Sequence, residues 1–297
     1  MCIRRDNVNK KIPIIISTIS NSFCDFTLDI AVNKYNTYLI LLGTAICSFI
    51  LQLMCGFVMG IEFTSESIIY IAIYGIIRLL GYVFYVLSLK RIPVALTALI
   101  ESGSLFVFLL IDWLCGYLYI NLWFCFLFIM FIFSVFLFSF DTYKFKDFNR
   151  TKDIKMSGIL ILLISMFFYA LEPYIIKLAS NYGANEIAIN IGYYAFSIPF
   201  FGIMCVKNKK QEESKAIVRD SKIIKYILLI SIFESIYYLF GIFGYINEAA
   251  VVNAILQELR VFILFVLSII IGTDKFTLKK VIAIIIGILS VIGIYLY

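Results

Sequence analysis

The sequence predicts an all-α polytopic membrane protein with ten transmembrane helices, built as two inverted five-helix repeats. The 297-residue chain is 63% hydrophobic and has a mean hydropathy of +1.00. Soluble chains contain about 45–50% apolar residues, so a soluble fold is excluded. Apolar runs of about 20 residues, long enough to cross a bilayer as a helix, recur along the whole chain. The two halves of the chain also align with each other.

Ten apolar segments are the predicted spans. They cover residues 12–32, 37–59, 67–88, 93–114, 119–140, 157–179, 186–206, 223–245, 249–271 and 276–296. Two connections are long and polar, at residues 141–155 and 207–222. We interpret residues 141–155 as the linker between a first five-helix repeat (1–140) and a second one (156–297).

The internal repeat is visible without gaps. The segment "TALIESGSLFVFLLIDWLCG" (97–116) aligns with "NAILQELRVFILFVLSIIIG" (253–272) at an offset of 156. The same offset aligns "RLLGYVFYV" (78–86) with "ESIYYLFGI" (234–242). Because five spans is an odd number, the second repeat enters the membrane inverted, as in many secondary transporters.

Several segments carry a family resemblance. They are the short link between the third and fourth spans of each half, "YVLSLKRIPVALTALI" and "FGIFGYINEAAVVNAIL", and the sixth-span pattern "MFFYALEPYIIKLAS". The turn "GTDKFTLKK" (272–280) has Asp274 where the family usually has Glu, and the corresponding "GYLYIN" has no acid. The chain thus resembles the drug/metabolite transporter superfamily, specifically the EamA-type ten-span transporters. The resemblance implies alternating access driven by exchange or by an ion gradient.

The orientation of the chain is predicted differently by two signals. With the termini inside, the cytosolic segments would hold four Lys and Arg residues, against seventeen in the loops after odd-numbered spans. Because basic loops favour the cytosol, the count places both termini outside. The family resemblance implies that both are inside.

The first span carries Ser22, Asp25 and Asp29 on one helical face. Two carboxylates a turn apart repel each other, which favours binding of a proton or a cation at this face. Alternatively, Asp29 lies near the membrane surface and is hydrated there.

The repeat also pairs charges of opposite sign. Arg78 in the third span is equivalent to Glu234 in the eighth, and Tyr82 is equivalent to Tyr238. Inverted repeats bring equivalent positions together, so we expect an ion pair between Arg78 and Glu234. The pair either lines the substrate cavity or is purely structural.

Two further polar stripes occupy matching spans. Glu101 lies on one face with Thr97 and Ser104, and the equivalent face of the ninth span carries Asn253, Gln257 and Arg260. Such stripes are costly next to lipid, so we place both towards a central cavity. Asp112 is near the end of its span, where we expect it to be hydrated.

The sixth span adds Glu172, followed by Pro173, which loosens the helix at that point. Tyrosines deep in the spans, including Tyr82 and Tyr238, could form an aromatic cage for an organic cation, or could simply be packing.

These features predict a secondary active transporter of a small organic solute. The spans contain more acids than bases, which favours a cationic or zwitterionic solute, or proton coupling. Alternatives are a drug or toxic-cation efflux pump of the same fold, and a membrane scaffold without transport. The chain has no histidine, so we expect no enzymatic activity, metal or cofactor. Basic residues lie in short loops, which argues against nucleic-acid binding. We expect a multi-pass monomer or homodimer in the plasma membrane.

Overall fold

A computed structural model of the chain describes residues 3–89, 108, 111–114, 116, 120–142, 156–207, 221–247, 250–271 and 277–296. Within these ranges all regular structure is helical, which confirms the predicted all-α class. The helices are α1 (Ile3–Lys34), α2 (Thr37–Met59), α3 (Ser67–Leu89), α4 (Leu122–Thr142), α5 (Met156–Asn181), α6 (Glu186–Lys207), α7 (Ser221–Asn247), α8 (Ala250–Glu258), α9 (Arg260–Ile271) and α10 (Leu278–Leu296).

Six stretches of the described helices are long and apolar enough to cross a membrane. They are Ile12–Val32, Thr37–Met59, Ser67–Ser88, Ser157–Asn181, Glu186–Lys207 and Lys222–Asn247. These six lie close to predicted spans, whereas the predicted fourth span (93–114) falls largely outside the described residues. The count of ten spans and the inverted repeat therefore stay predictions.

The ninth span, predicted as one helix, is broken in two at Leu259. The Leu259 amide donates to the Leu256 carbonyl, and the Phe262 amide to the Leu259 carbonyl. Each bond reaches back three residues, so one tightened turn interrupts the α-helix. No proline or glycine lies at this point, so the sequence does not predict the break.

Asparagine side chains define the starts of three helices. The amide oxygens of Asn36, Asn121 and Asn185 accept backbone N–H bonds from the first turns of α2, α4 and α6, at 2.8–3.0 Å. Each bond satisfies one of the amides that a helix start leaves without a partner. The caps therefore explain why the short loops before these helices end in asparagine.

The chain forms two compact units, and each of them contains segments from both halves of the sequence. The first unit comprises Met1–Leu79 and Glu172–Asn247, and the second comprises Leu80–Leu171 and Glu248–Tyr297. In the second unit α10 packs along α4.

In the first unit α7 packs against α1 and α2, and α2 packs against α6. α3 approaches α6 closely at Gly75, where an added Cβ would lie 2.5 Å from the carbonyl oxygen of Gly192.

Candidate substrate-binding site

A buried ion pair joins α3 to α5 within the first unit. Arg78 Nη1 lies 2.7 Å from Glu172 Oε2, and the two side chains are only 9% and 6% exposed. A contact this short is a charge-assisted hydrogen bond, which is stronger than a neutral one. The pair therefore fixes the position of the guanidinium in an apolar bundle.

Tyrosine rings surround the guanidinium. The Cζ atom of Arg78 lies 4.6 Å from the ring centre of Tyr238 and 5.9 Å from that of Tyr237. Tyr193 on α6 packs edge-on against Tyr238, with ring centres 5.6 Å apart. The negative faces of such rings attract cations, so α6 and α7 form an aromatic wall beside Arg78.

A second carboxylate, Glu234 on α7, adjoins this wall. Glu234 is 5% exposed, and its Oε2 accepts a 2.7 Å hydrogen bond from Ser48 Oγ on α2. Arg78 and the Tyr238 hydroxyl also act on the Glu234 carboxylate, the former through its charge and the latter as a hydrogen-bonding neighbour. Glu234 and Arg78 lie near the middles of the stretches Lys222–Asn247 and Ser67–Ser88.

Two carboxylates thus share one guanidinium in a buried cluster, which we call the Arg78 cluster: Arg78, Glu172, Glu234, Tyr237 and Tyr238. With all three charged groups ionised, the cluster carries one excess negative charge. A charge at the centre of a membrane helix costs about 2.5–3.5 kcal/mol on insertion scales. An uncompensated charge at this depth needs a partner, a proton or a water-filled cavity.

Arg78 pairs directly with a carboxylate other than the expected Glu234, and the Arg78–Glu234 pair stays a prediction. The 2.7 Å ion pair of Arg78 is with Glu172, and Glu234 is held by Ser48 instead. The reason is helix packing, since α2 presents a hydroxyl directly to the Glu234 carboxylate. Both residues nevertheless lie in the Arg78 cluster.

Comparison with known proteins supports a transport fold. Residues 156–296 match the EamA-like transporter family. The predicted resemblance is thereby confirmed for this part of the chain, and it indicates a transporter of the drug/metabolite type. No curated protein matches the chain. A solved structure described only as the crystal structure of a protein matches with a TM-score of 0.73 and 13% identity. The match covers 97% of this chain and 98% of the other, and it shows likeness of fold alone.

Three further residues predicted for the site lie in the first half of the chain: Asp25, Asp29 and Glu101. Asp25 on α1 is partly buried, and its neighbour Cys24 lies within electrostatic reach of Glu234 and Arg78. The side chain of Asp29 and the whole of Glu101 lie outside the described residues. The predicted roles of Asp29 and Glu101 stay predictions.

The remaining predicted residues belong to the second unit: Tyr82, Asn253, Gln257 and Arg260. Asn253 and Gln257 are buried on one face of α8, with the Gln257 amide 3.4 Å from Asn253 Oδ1. They lie just before the tightened turn at Leu259. Asp112, expected to be hydrated, is instead fully buried.

Sequence reasoning missed the contribution of α2 to the site. Thr44, Ser48 and Gln52 recur every four residues, so they form one polar stripe in an otherwise apolar helix. That spacing was a readable signal. No group of three metal-ligating side chains occurs among the described residues.

Proposed function

We propose that the protein is a secondary active transporter of a small organic cation or zwitterion, such as an amine or an amino acid. Transport proceeds by alternating access across the plasma membrane. The solute's positive group binds at Glu234, between the tyrosine wall and Ser48.

The observation that carries this proposal is the charge balance of the Arg78 cluster. Glu172 is neutralised by direct contact with Arg78 at 2.7 Å. Glu234 receives the Ser48 hydroxyl, the neighbouring Tyr238 hydroxyl and the more distant field of Arg78. Buried carboxylates are stable when they are paired with a positive charge. Glu234 is therefore the carboxylate that a solute's positive group would neutralise.

The same balance supports exchange coupling. A conformational change that moves Glu234 through an apolar environment requires its charge to be neutralised, by a bound solute cation or by a proton. The protein with no solute bound and Glu234 ionised is then the form least able to switch between its outward-facing and inward-facing states. The proposed consequence is exchange of the solute for a proton or for a second solute.

A drug or toxic-cation efflux pump is the second candidate, and the tyrosine wall favours it. Rings attract cations of many shapes through their negative faces. A metabolite carrier and an efflux pump differ in the range of substrates that they bind. The metabolite carrier binds one chemical class, whereas the efflux pump binds bulky aromatic cations as well.

Thermal unfolding of the detergent-purified protein tests the proposal. The panel contains amino acids, amines, choline-like cations, bulky aromatic cations, sugars and nucleosides. A ligand at 100 times its Kd adds about 2.7 kcal/mol to the free energy of unfolding. We expect stabilisation only by compounds that carry a positive group, whether they are cations or zwitterions.

The matched variants are Glu234→Gln and Glu66→Gln. Glu66 is exposed on the loop between α2 and α3, so its substitution makes the same chemical change outside the cluster. We expect Glu234→Gln to abolish the stabilisation and Glu66→Gln to retain it. Equal stabilisation of both variants by the cations would remove Glu234 from the site.

A further inference from the structure

Besides Thr44, five buried uncharged side chains of the first unit have polar atoms that meet no hydrogen-bond partner among the described residues. They form what we call the polar layer: Gln52 on α2, Asn190, Tyr194 and Ser197 on α6, and Ser235 on α7. Gln52, Asn190, Tyr194 and Ser197 are 0% exposed, and Ser235 is 7% exposed. Both polar atoms of the Asn190 amide are without a partner.

Helix register spreads these side chains along about two turns of α6, from Asn190 through Tyr194 to Ser197. α2 and α6 run antiparallel, because Phe49 packs against Tyr194 at 6.3 Å while Gly56 lies beside Ile187. That register puts Gln52 at the level of Asn190. On the other side, Gln52 Nε2 donates to the Ser235 carbonyl at 3.0 Å.

The polar layer adjoins Glu234. Ser48, one turn before Gln52, donates to the Glu234 carboxylate at 2.7 Å. Tyr194 lies beside Ser48 and within electrostatic reach of Glu234. Its hydroxyl nevertheless makes no hydrogen bond of acceptable distance and angle. A molecule held by Glu234 could therefore extend its uncharged end between α2 and α6.

Buried polar groups in proteins almost always find partners, because leaving them without one costs free energy. The unpaired atoms of the layer include an amide donor, amide acceptors and hydroxyls. Hydroxyls and amides both donate and accept, so the layer matches a group that does the same. An alkyl group would leave every one of these atoms unpaired.

We propose that the polar layer binds the uncharged hydrogen-bonding end of the transported solute, an amide or a hydroxyl group. This inference rests on the proposed function, because it takes the solute's cation to be at Glu234. The solute class becomes a short amine with an amide or hydroxyl group close to the ammonium. Plain alkylamines of the same size are rejected.

Two probes of matched shape test this inference by calorimetry on the purified protein. Glycinamide carries an amine and an amide, and isobutylamine replaces the amide oxygen and nitrogen with methyl groups. We expect glycinamide to bind at least about tenfold tighter, since sites built to hydrogen-bond a group reject analogues lacking it. Asn190→Leu should abolish this preference.

Asn181→Leu is the matched control, because Asn181 is exposed at the end of α5. We expect it to keep the full preference. Ser197→Ala removes only one hydroxyl and serves if Asn190→Leu does not fold; it should reduce the preference several-fold.

The failing outcomes are distinct. Equal binding of both probes by the unsubstituted protein, or a preference that survives both substitutions, would mean that the layer holds only water, and the cation site would stand. If neither probe binds, the cation site fails, and the polar layer's assignment fails with it.

Discussion

Arg78 and Glu172 stabilise each other because each would otherwise be an unpaired charge in an apolar bundle. Removing one partner of a buried pair typically costs about 3–5 kcal/mol, whereas replacing both by apolar residues is often neutral. In the Arg78 cluster the two partners are not equivalent. Loss of Arg78 leaves two carboxylates together, but loss of Glu172 leaves Arg78 facing Glu234.

We therefore expect Arg78→Met to lower the free energy of unfolding more than Glu172→Met does. The double variant Arg78→Met/Glu172→Met should recover part of the loss seen for Arg78→Met. Thermal unfolding of the three variants in one detergent ranks their losses of stability. Additive losses in the double variant would show that the pair is not coupled.

Tyr238 contributes its ring to Arg78 and its hydroxyl to the neighbourhood of Glu234. Cation–π contacts are worth about 0.5–2 kcal/mol, and truncating a buried aromatic residue costs about 3–5 kcal/mol. We expect Tyr238→Leu to reduce the melting temperature clearly more than Tyr238→Phe, which keeps the ring. Comparable losses in the two variants would assign the stabilisation to the hydroxyl instead.

At the scale of elements, the contact between α3 and α6 depends on two glycines. A Cβ on Gly75 would lie 2.5 Å from the Gly192 carbonyl oxygen, and a Cβ on Gly192 would overlap Ile71. Because the Gly75 clash is with backbone, the helices must separate to relieve it. Overpacking of this kind costs about 1–3 kcal/mol.

Gly75→Ala and Gly192→Ala should therefore destabilise the protein by about 1–3 kcal/mol each. Gly202→Ala is the control on α6, since an added Cβ there meets nothing within 4 Å. It should be neutral or stabilising, because alanine favours helix over glycine by about 1 kcal/mol. Unfolding in detergent compares the three, and equal effects would contradict the close approach.

The existence of the helices was predictable because bilayer-length apolar runs leave few alternatives to a helix. The break at Leu259 was not, since it involves no proline or glycine. Arg78 and Glu234 were predicted as repeat-equivalent charges and Glu172 by its place in the sixth span, and their roles in a site stay predictions. Their pairing was not predictable, because the choice between Glu172 and Glu234 depends on how α2 and α5 pack. The stripe of Ser48 and Gln52 was visible in the sequence.

At the scale of the whole molecule, basic residues are distributed asymmetrically. Loops after odd-numbered predicted spans hold seventeen Lys and Arg residues, and the segments on the other side hold four. Basic residues in short loops favour the cytosol by opposing translocation. The count therefore predicts external termini, in contrast to the EamA-type arrangement that the resemblance implies.

Fusion reporters at the C-terminus distinguish the two orientations in a bacterial host. With external termini, alkaline phosphatase should be active and a fluorescent protein that folds only in the cytosol should be dark. Neutralising Lys207, Lys209 and Lys210 should move the population towards the opposite orientation, because these charges are among those that hold their loop in the cytosol. The reverse reporter pattern, unaffected by the substitutions, would mean that the basic N-terminus sets the orientation.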